Sequence, residues 1–511
     1  MTRKLAGALA ATVVLLAAAL PGPEIGMGTH VTFAVDARRV AGTLRALNGV
    51  QGGPRPTIGE DPDLAARYRE AGIPVVRLPQ DDGFINGDSF GPDYRLTLGD
   101  IFPNRQADVE DPDSYHFEDI DAFIRRIRAA GATPLWTLCY DIGAGANAYA
   151  SNGNQAGRAP MDSDRWADVI VHVLRHFNDG WGTDGHRWNV RYVELPNEPC
   201  TLGGFDCGSR ESRQELYDAW ATLVRKIRDY NAVYRHSVKV AAPGLPAHQA
   251  IRWLPEFLAN VRDQDLPLDI YSYHDYAWPD EILDRARTIR ETLDAGGYEA
   301  VPVWNTEWNW PLYKPAPDEV LLDDAGQSAY VAAHNAQVKT LLQDLWDEAF
   351  VYRATRSARR AQRPNPGEFF YFHLDGEKSD VAVGAPKPAY YEWVIYDQMA
   401  SATPQRLVVN RPVTSPTLLA ARSPTGTQLR LLVVHWCRID TPERAAPFSY
   451  RMRISGLSQG RLTATLYAVD ATTTRLQPIE DRIVIVPPDG VTTLKGTMNL
   501  WSLHYWKLHR Q

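Results

Sequence analysis

Glu198 and Glu307 are the two residues whose type and setting could do chemistry together. Each follows an apolar run of strand character: 190–195 leads into Leu195-Pro-Asn-Glu-Pro, and 301–304 leads into Asn305-Thr-Glu-Trp-Asn. Two carboxyls at the ends of two parallel strands suit the cleavage of a glycosidic bond. One carboxyl keeps its proton and donates it to the leaving oxygen. The other is ionised and attacks the sugar carbon or activates water. A lone Asn-Glu-Pro says little, because three-residue matches arise by chance in a long chain. Two such glutamates, with the aromatic and polar strand end Ser272-Tyr-His-Asp-Tyr between them, say more. The plainer alternative is that both are ordinary ion-paired surface residues.

Strand-end carboxyls need a sheet whose strands all run one way. Over 45–402, strand-like and helix-like segments alternate, which predicts βα units around a parallel sheet. Strands are expected at 47–51, 73–78, 133–140, 190–195, 238–242, 268–273, 301–306 and 349–353, the eight that close a barrel. Working residues then sit at the C-terminal strand ends. Ile120, Phe123, Ile124 and Ile127 recur at helical spacing before a capping Gly131, and Leu216, Trp220, Leu223 and Ile227 repeat the pattern. The segment 369–374 rivals 349–353 as eighth strand; 349–353 is preferred because it follows directly on a helix expected at 325–346. From about 403 the texture changes to alternating or β-branched runs separated by turn clusters, which predicts an antiparallel β-sandwich over 403–511. An alternating segment within 28–44 is expected to add a strand to it. The expected fold is therefore α/β: a (β/α)8 TIM barrel with an accessory C-terminal antiparallel β-sandwich.

Composition narrows the partners. With 44% hydrophobic residues the chain can bury large cores, and a formal charge of −8 without any basic-aromatic stripe argues against nucleic acid. Fifteen tryptophans suit sugar stacking but serve cores equally well. Arg3 and Lys4, the apolar run 5–20 and Ala17-Ala-Ala read as an export signal within 1–27. An uncleaved membrane anchor is the alternative, and it would be the only membrane link. The four cysteines lack metal-ligand spacing. Cys200 and Cys207 would form a small disulfide loop just after Glu198 in an exported protein, or else remain two thiols. No cofactor or metal is called for; the expected partner is an oligo- or polysaccharide.

These motifs resemble clan A glycoside hydrolases, and within the clan family 39, the family of β-xylosidases and α-L-iduronidase. The resemblance spans about 45–400. It includes Asp100–Phe102 with Asp111-Pro-Asp-Ser-Tyr, Val351-Tyr-Arg-Ala and Lys387-Pro-Ala-Tyr-Tyr. It implies a retaining double displacement with Glu198 as acid/base, Glu307 as nucleophile and Asn197 on the sugar 2-hydroxyl. His274, Tyr276, Trp308 and Arg77 complete the expected substrate site. Tyr276 would donate to Glu307 or simply pack. Glu194 shares strand parity with Glu198 and would pair structurally with Arg77. Pro196 and Pro79 depart from the Trp and His usual in the family, and both lie toward the sugar.

Two loops, 81–114 and 141–160, would flank the cleft. Arg353, Arg356, Arg359, Arg360 and Arg363 would face it only if 349–353 is the eighth strand, where they could bind an acidic glycan; the alternative is a solvated loop. Gly456-Leu-Ser-Gln-Gly matches a serine-hydrolase pattern but lies between two expected strands rather than before a helix. The sugar expected from the resemblance is a β-xyloside or related pentoside. The rival classes are an acidic-glycan or endo-acting hydrolase and a non-catalytic glycan-binding envelope protein.

Overall fold

The structure, a computed structural model, describes residues 30–54, 64–78, 97–138, 142–143, 160–195, 197–200, 205, 207–309, 311, 324–352, 371–373, 382, 384–410, 416–438 and 447–511. The N-terminal segment 1–27, Pro79, Pro196, the arginines 353–363, residues 81–96 of the first cleft loop and most of the second (141–160) lie outside the described residues.

Among the described residues, eight parallel strands form the barrel: Gly49–Gln51, Val75–Leu78, Thr133–Thr137, Tyr192–Glu194, Lys239–Ala241, Tyr271–Tyr276, Val303–Asn309 and Glu348–Val351. Neighbours pair in sequence order, and the eighth strand pairs with both the seventh and the first. A parallel bridge between Ala241 and Ile270 joins the fifth strand to the sixth and closes the ring. The two-residue segment Leu245–Pro246 also pairs with the sixth strand, beyond that bridge. The eighth strand is thus the one expected at 349–353. The rival segment contributes only an isolated antiparallel bridge, Phe372 with Pro386, among the described residues.

The barrel interior is plugged by Val75, Leu135, Ala241, Ile270, Trp304 and Phe350. One step up the same strands, side chains of the same parity become polar: Arg77, Thr137 and Glu194 are all buried. The helices obey the expected signals. In Glu118–Ala129, Ile120, Phe123, Ile124 and Ile127 are buried, and Gly131 follows at φ +80°, a left-handed conformation that costs glycine nothing. Arg210–Tyr234 opens on a Ser209–Ser212 capping box.

Two strands run further than their apolar content suggested. The sixth was expected at 268–273 but occupies Tyr271–Tyr276; the seventh was expected at 301–306 but continues to Asn309. Backbone pairing persists where the side chains turn polar, so His274, Tyr276 and Glu307 lie within strands rather than beyond them.

The second sheet has nine strands among the described residues and is antiparallel except at one edge of its first strand. His30–Thr43 runs antiparallel to Gln405–Val409 and parallel to Phe448–Ser455. All nine strands contribute to one apolar core that includes Phe33, Leu431, Met452, Leu466 and Trp506, so the sheet curls over on itself. Its outer face packs on the barrel helices through an aromatic cluster in which Trp436 lies 5.9 Å from both Trp278 and Tyr330. Gly456–Gly460 forms the turn between Phe448–Ser455 and the strand that begins at Gly460, so it lacks the helix a serine nucleophile elbow needs.

A buried charge pair ties the last barrel helices to the first strand. Lys339 Nζ lies 3.0 Å from Glu392 and donates to Asn48 at 2.7 Å; Asn48 in turn donates to the carbonyls of Ala71 and Trp393. Both charged side chains are essentially inaccessible. Replacing Lys339 by Met should therefore destabilise the barrel by about 3–5 kcal/mol, because an uncompensated carboxylate stays buried. Thermal or urea unfolding checks this, and adding Glu392→Leu should recover most of the loss.

Candidate active site

The site grows out of a single inserted residue. In strand seven the pairing register with strand six steps from Tyr273–Asn305 to His274–Glu307, and that with strand eight steps from Ala349–Asn305 to Val351–Trp308. Strand seven thus carries one residue more than either neighbour, a β-bulge near Thr306. Trp304 points into the barrel. Regular alternation would send Thr306 and Trp308 inward as well; the bulge sends Glu307 inward instead. Trp308 turns out, is fully buried, and packs at 5.6 Å on Trp346. This corrects the expectation that Trp308 binds substrate: it fills the layer between barrel and helices.

Glu198 reaches the same point from strand four. Its φ of +44° is left-handed, a conformation that costs a non-glycine residue on the order of 1 kcal/mol or more and tends to concentrate at functional sites. The Cys200–Cys207 disulfide, with Cα atoms 5.4 Å apart, closes a short loop immediately after it.

His274 links the two carboxylates. Its Nδ1 lies 2.9 Å from Glu307 Oε2 and 3.1 Å from Glu198 Oε1. The ligating atoms of all three residues fall within 4.8 Å of one another. So close an approach of one oxygen from each carboxylate suits a pair in which one attacks directly, about 5–5.5 Å apart, better than a pair about 6.5–9.5 Å apart that admits a water.

Arg77 underlies all of this. It donates through Nε to Glu194 at 2.6 Å and through Nη2 to Asn197 at 2.8 Å, and its Nη1 lies 3.8 Å from Glu307. The Arg77–Glu194 pair expected from strand parity is present. Strand parity gives no sign of its further reach to Asn197 and Glu307, which only the folded barrel brings beside it.

The electrostatics separate the groups. Burial alone would push the Glu307 carboxyl up, but the charge and hydrogen bond of His274, the Arg77 guanidinium and the Tyr276 hydroxyl together hold it below the ordinary carboxylate value. Burial opposes a charge on His274, yet Glu307 and the hydrogen bonds to both carboxylates outweigh it and raise the imidazole to about 9. The Tyr276 ring packs edge-on at 5.8 Å against Tyr352, and its hydroxyl helps to keep the Glu307 carboxyl below the ordinary value. Glu198, His274 and Glu307 could geometrically hold a cation, but a proton on His274 Nδ1 already accounts for both contacts.

Gly244, in the turn after strand five, was missed. A Cβ there would lie 2.9 Å from His274 Nε2 and 3.3 Å from Glu194 Oε1, so a larger residue would displace the imidazole. The signal available was the turn sequence Pro243-Gly-Leu-Pro, which does not reveal what lies opposite.

The profile of glycosyl hydrolases family 39 matches residues 96–423, well over half of the chain. The chain belongs to that family. A β-xylosidase of Geobacillus stearothermophilus is 23% identical over 193 residues, 34% of this chain and 36% of that protein, so the match spans about a third of the curated relative's length. Among solved structures, a glucosidase from Croceicoccus marinus superposes with a TM-score of 0.71 at 20% identity, covering 94% of this chain and 100% of that one. A family 39 enzyme from Xanthomonas axonopodis pv. citri gives 0.66 at 18% identity (95% and 98%), and a monomeric β-xylosidase from Caulobacter crescentus gives 0.65 at 17% (94% and 99%). At these identities the structural likenesses establish the shared fold, barrel and β-domain together.

The His274 contacts generate a pH prediction for this family 39 site. The folded value of about 9 lies above the ordinary 6.5, so the folded protein binds the proton more tightly. The resulting stabilisation, on the order of 3 kcal/mol, is complete below pH 6.5 and disappears as the pH rises through about 9. Thermal midpoints measured from about pH 6 to about pH 10 should fall more steeply for the wild type than for His274→Gln.

Proposed function

We propose that this family 39 enzyme is a retaining hydrolase in which Glu198 is the acid/base and Glu307 the nucleophile. The observation that carries this reading is that Glu307 and Glu198 each bring an oxygen to within 2.9 and 3.1 Å of the same His274 nitrogen, at the ends of two barrel strands. In the first step Glu307 attacks the anomeric carbon as the bond to the leaving oxygen breaks, and Glu198 gives that oxygen its proton. Glu307 becomes an uncharged ester and Glu198 a carboxylate. In the second step Glu198 takes a proton from water, the water oxygen attacks the anomeric carbon, and the ester bond breaks to restore both groups.

One negative charge is present throughout, and it moves from Glu307 to Glu198 and back. His274 lies within hydrogen-bond distance of both, so its cation faces the charge in either location without moving. Arg77 fixes Asn197 with the amide oxygen turned toward the guanidinium, next to where the sugar 2-hydroxyl would sit.

For the substrate we propose a β-xyloside or related pentoside, on the strength of family membership and the β-xylosidase relative. An acidic glycan is the second reading. The eighth strand, Glu348–Val351, runs parallel to the strand carrying Glu307, and five arginines follow it in sequence within 353–363. Export is also proposed, supported by the signal-like start of the chain and by a disulfide of the kind that persists in oxidising compartments. Among the described residues no helix is long and apolar enough to cross a membrane.

The test is a panel of aryl pentosides, hexosides and uronides. Glu307→Gln should abolish turnover on all of them while leaving sugar binding intact. Glu198→Gln should cost about 10²–10⁴-fold, more on poor leaving groups than on activated ones. Turnover that survives Glu307→Gln would refute the reading, and binding without any turnover in the wild type would favour a glycan-binding protein.

A further inference from the structure

Away from the catalytic mouth, three more side chains converge. Asp121 lies in helix Glu118–Ala129, His176 in the last turn of helix Ser163–Asn178, and His186 in the connection from that helix to strand four. His176 Nε2 is 3.2 and 3.1 Å from the two oxygens of Asp121, and His186 Nε2 is 2.8 Å from Oδ2. One atom from each residue can be chosen so that all three lie within 4.8 Å of one another.

The tautomer of His176 is fixed from behind. Its Nδ1 lies 3.0 Å from the Trp181 carbonyl, which can only accept, so Nδ1 carries the hydrogen. In the neutral ring Nε2 then presents a lone pair to a carboxylate, an arrangement that needs either a proton or a metal cation between them. A backbone carbonyl holding one ring nitrogen while the other faces inward is the usual outer-shell support of a metal-bound histidine.

Both rings are clamped. His176 stacks on Phe117 with centroids 3.6 Å apart, and His186 stacks on Trp188 at the same separation. The backbone N–H of His186 donates to the His176 carbonyl at 2.6 Å. The side-chain exposures of His176, Asp121 and His186 are 0%, 9% and 18%, so the cluster is largely buried and its most accessible member is His186. A tetrahedral ion with bonds of about 2.0–2.1 Å spaces its ligands about 3.3 Å apart, close to these separations.

We propose that Asp121, His176 and His186 bind a divalent first-row transition ion, with zinc the best fit and water as the fourth ligand. Two imidazoles and one carboxylate suit zinc, and they supply too few oxygens for calcium or magnesium. The ion would pin the connection leading into strand four, which is followed by Asn197 and Glu198, onto helix Glu118–Ala129. The competing occupant is a second proton on His176.

The experiment is titration of chelator-treated protein with Zn2+, followed by calorimetry and by the thermal midpoint. The expected result is one Zn2+ per chain and a raised midpoint, with no response to Mg2+ or Ca2+. His186→Ala, at the most exposed of the three positions, and Asp121→Asn, which keeps the side-chain shape, should each weaken binding at least tenfold. Glu198→Gln should leave binding unchanged. Absence of stoichiometric zinc, or binding indifferent to His186→Ala and Asp121→Asn, would overturn the proposal. Binding lost in Glu198→Gln would also overturn it, by placing the ion at the catalytic carboxylates.

Discussion

Two carboxylates this close in a buried mouth repel each other, and the positive charge shared between them is the interaction on which the site depends. His274 carries that charge. Its burial should make it neutral; the surrounding negative charge wins, and the imidazole stays protonated through neutral pH. Arg77 adds a second positive charge from below, already committed to Glu194. Two cations thus face Glu194, Glu198 and Glu307, so the cluster is balanced when one of the two mouth glutamates carries a proton. The proposed reaction needs that count, and it leaves the count unchanged at every step.

The fold serves this balance through local irregularities. A regular strand seven would bury Trp308 inside the barrel and turn Glu307 toward the helices; one extra residue near Thr306 reverses both. A relaxed backbone would not place Glu198 at φ +44°, and the Cys200–Cys207 loop immediately follows that strained position. Gly244 leaves space for the imidazole that a single methyl group would take. Each device acts on one side chain, while the eight-stranded ring supplies the common frame.

Much of this was legible in the sequence because it follows from periodicity. The eight strands, the Gly131 cap and the inward pairing of Arg77 with Glu194 all follow from counting residues along regular elements. The eighth strand was also recoverable, since it had to follow a helix. What escaped was whatever breaks the count. The ends of strands six and seven are polar, so hydropathy stopped short of His274 and Glu307, while backbone pairing continued to Tyr276 and Asn309. The bulge leaves no compositional mark, so Trp308 was assigned to the wrong face. Gly244 reads as a turn residue, because its partner His274 is distant in sequence and close only in the folded barrel.

Everything in the proposed reaction turns on Glu307 being the ionised group that attacks the sugar. The most direct measurement is intact-mass and peptide-map analysis after incubation with a 2-deoxy-2-fluoro glycoside carrying a good leaving group, which slows release of the ester. One glycosyl unit per chain is expected, on the peptide containing Glu307, in step with loss of activity. Inactivation with the label on another carboxylate, or turnover of an active enzyme that never accumulates an adduct, would contradict it.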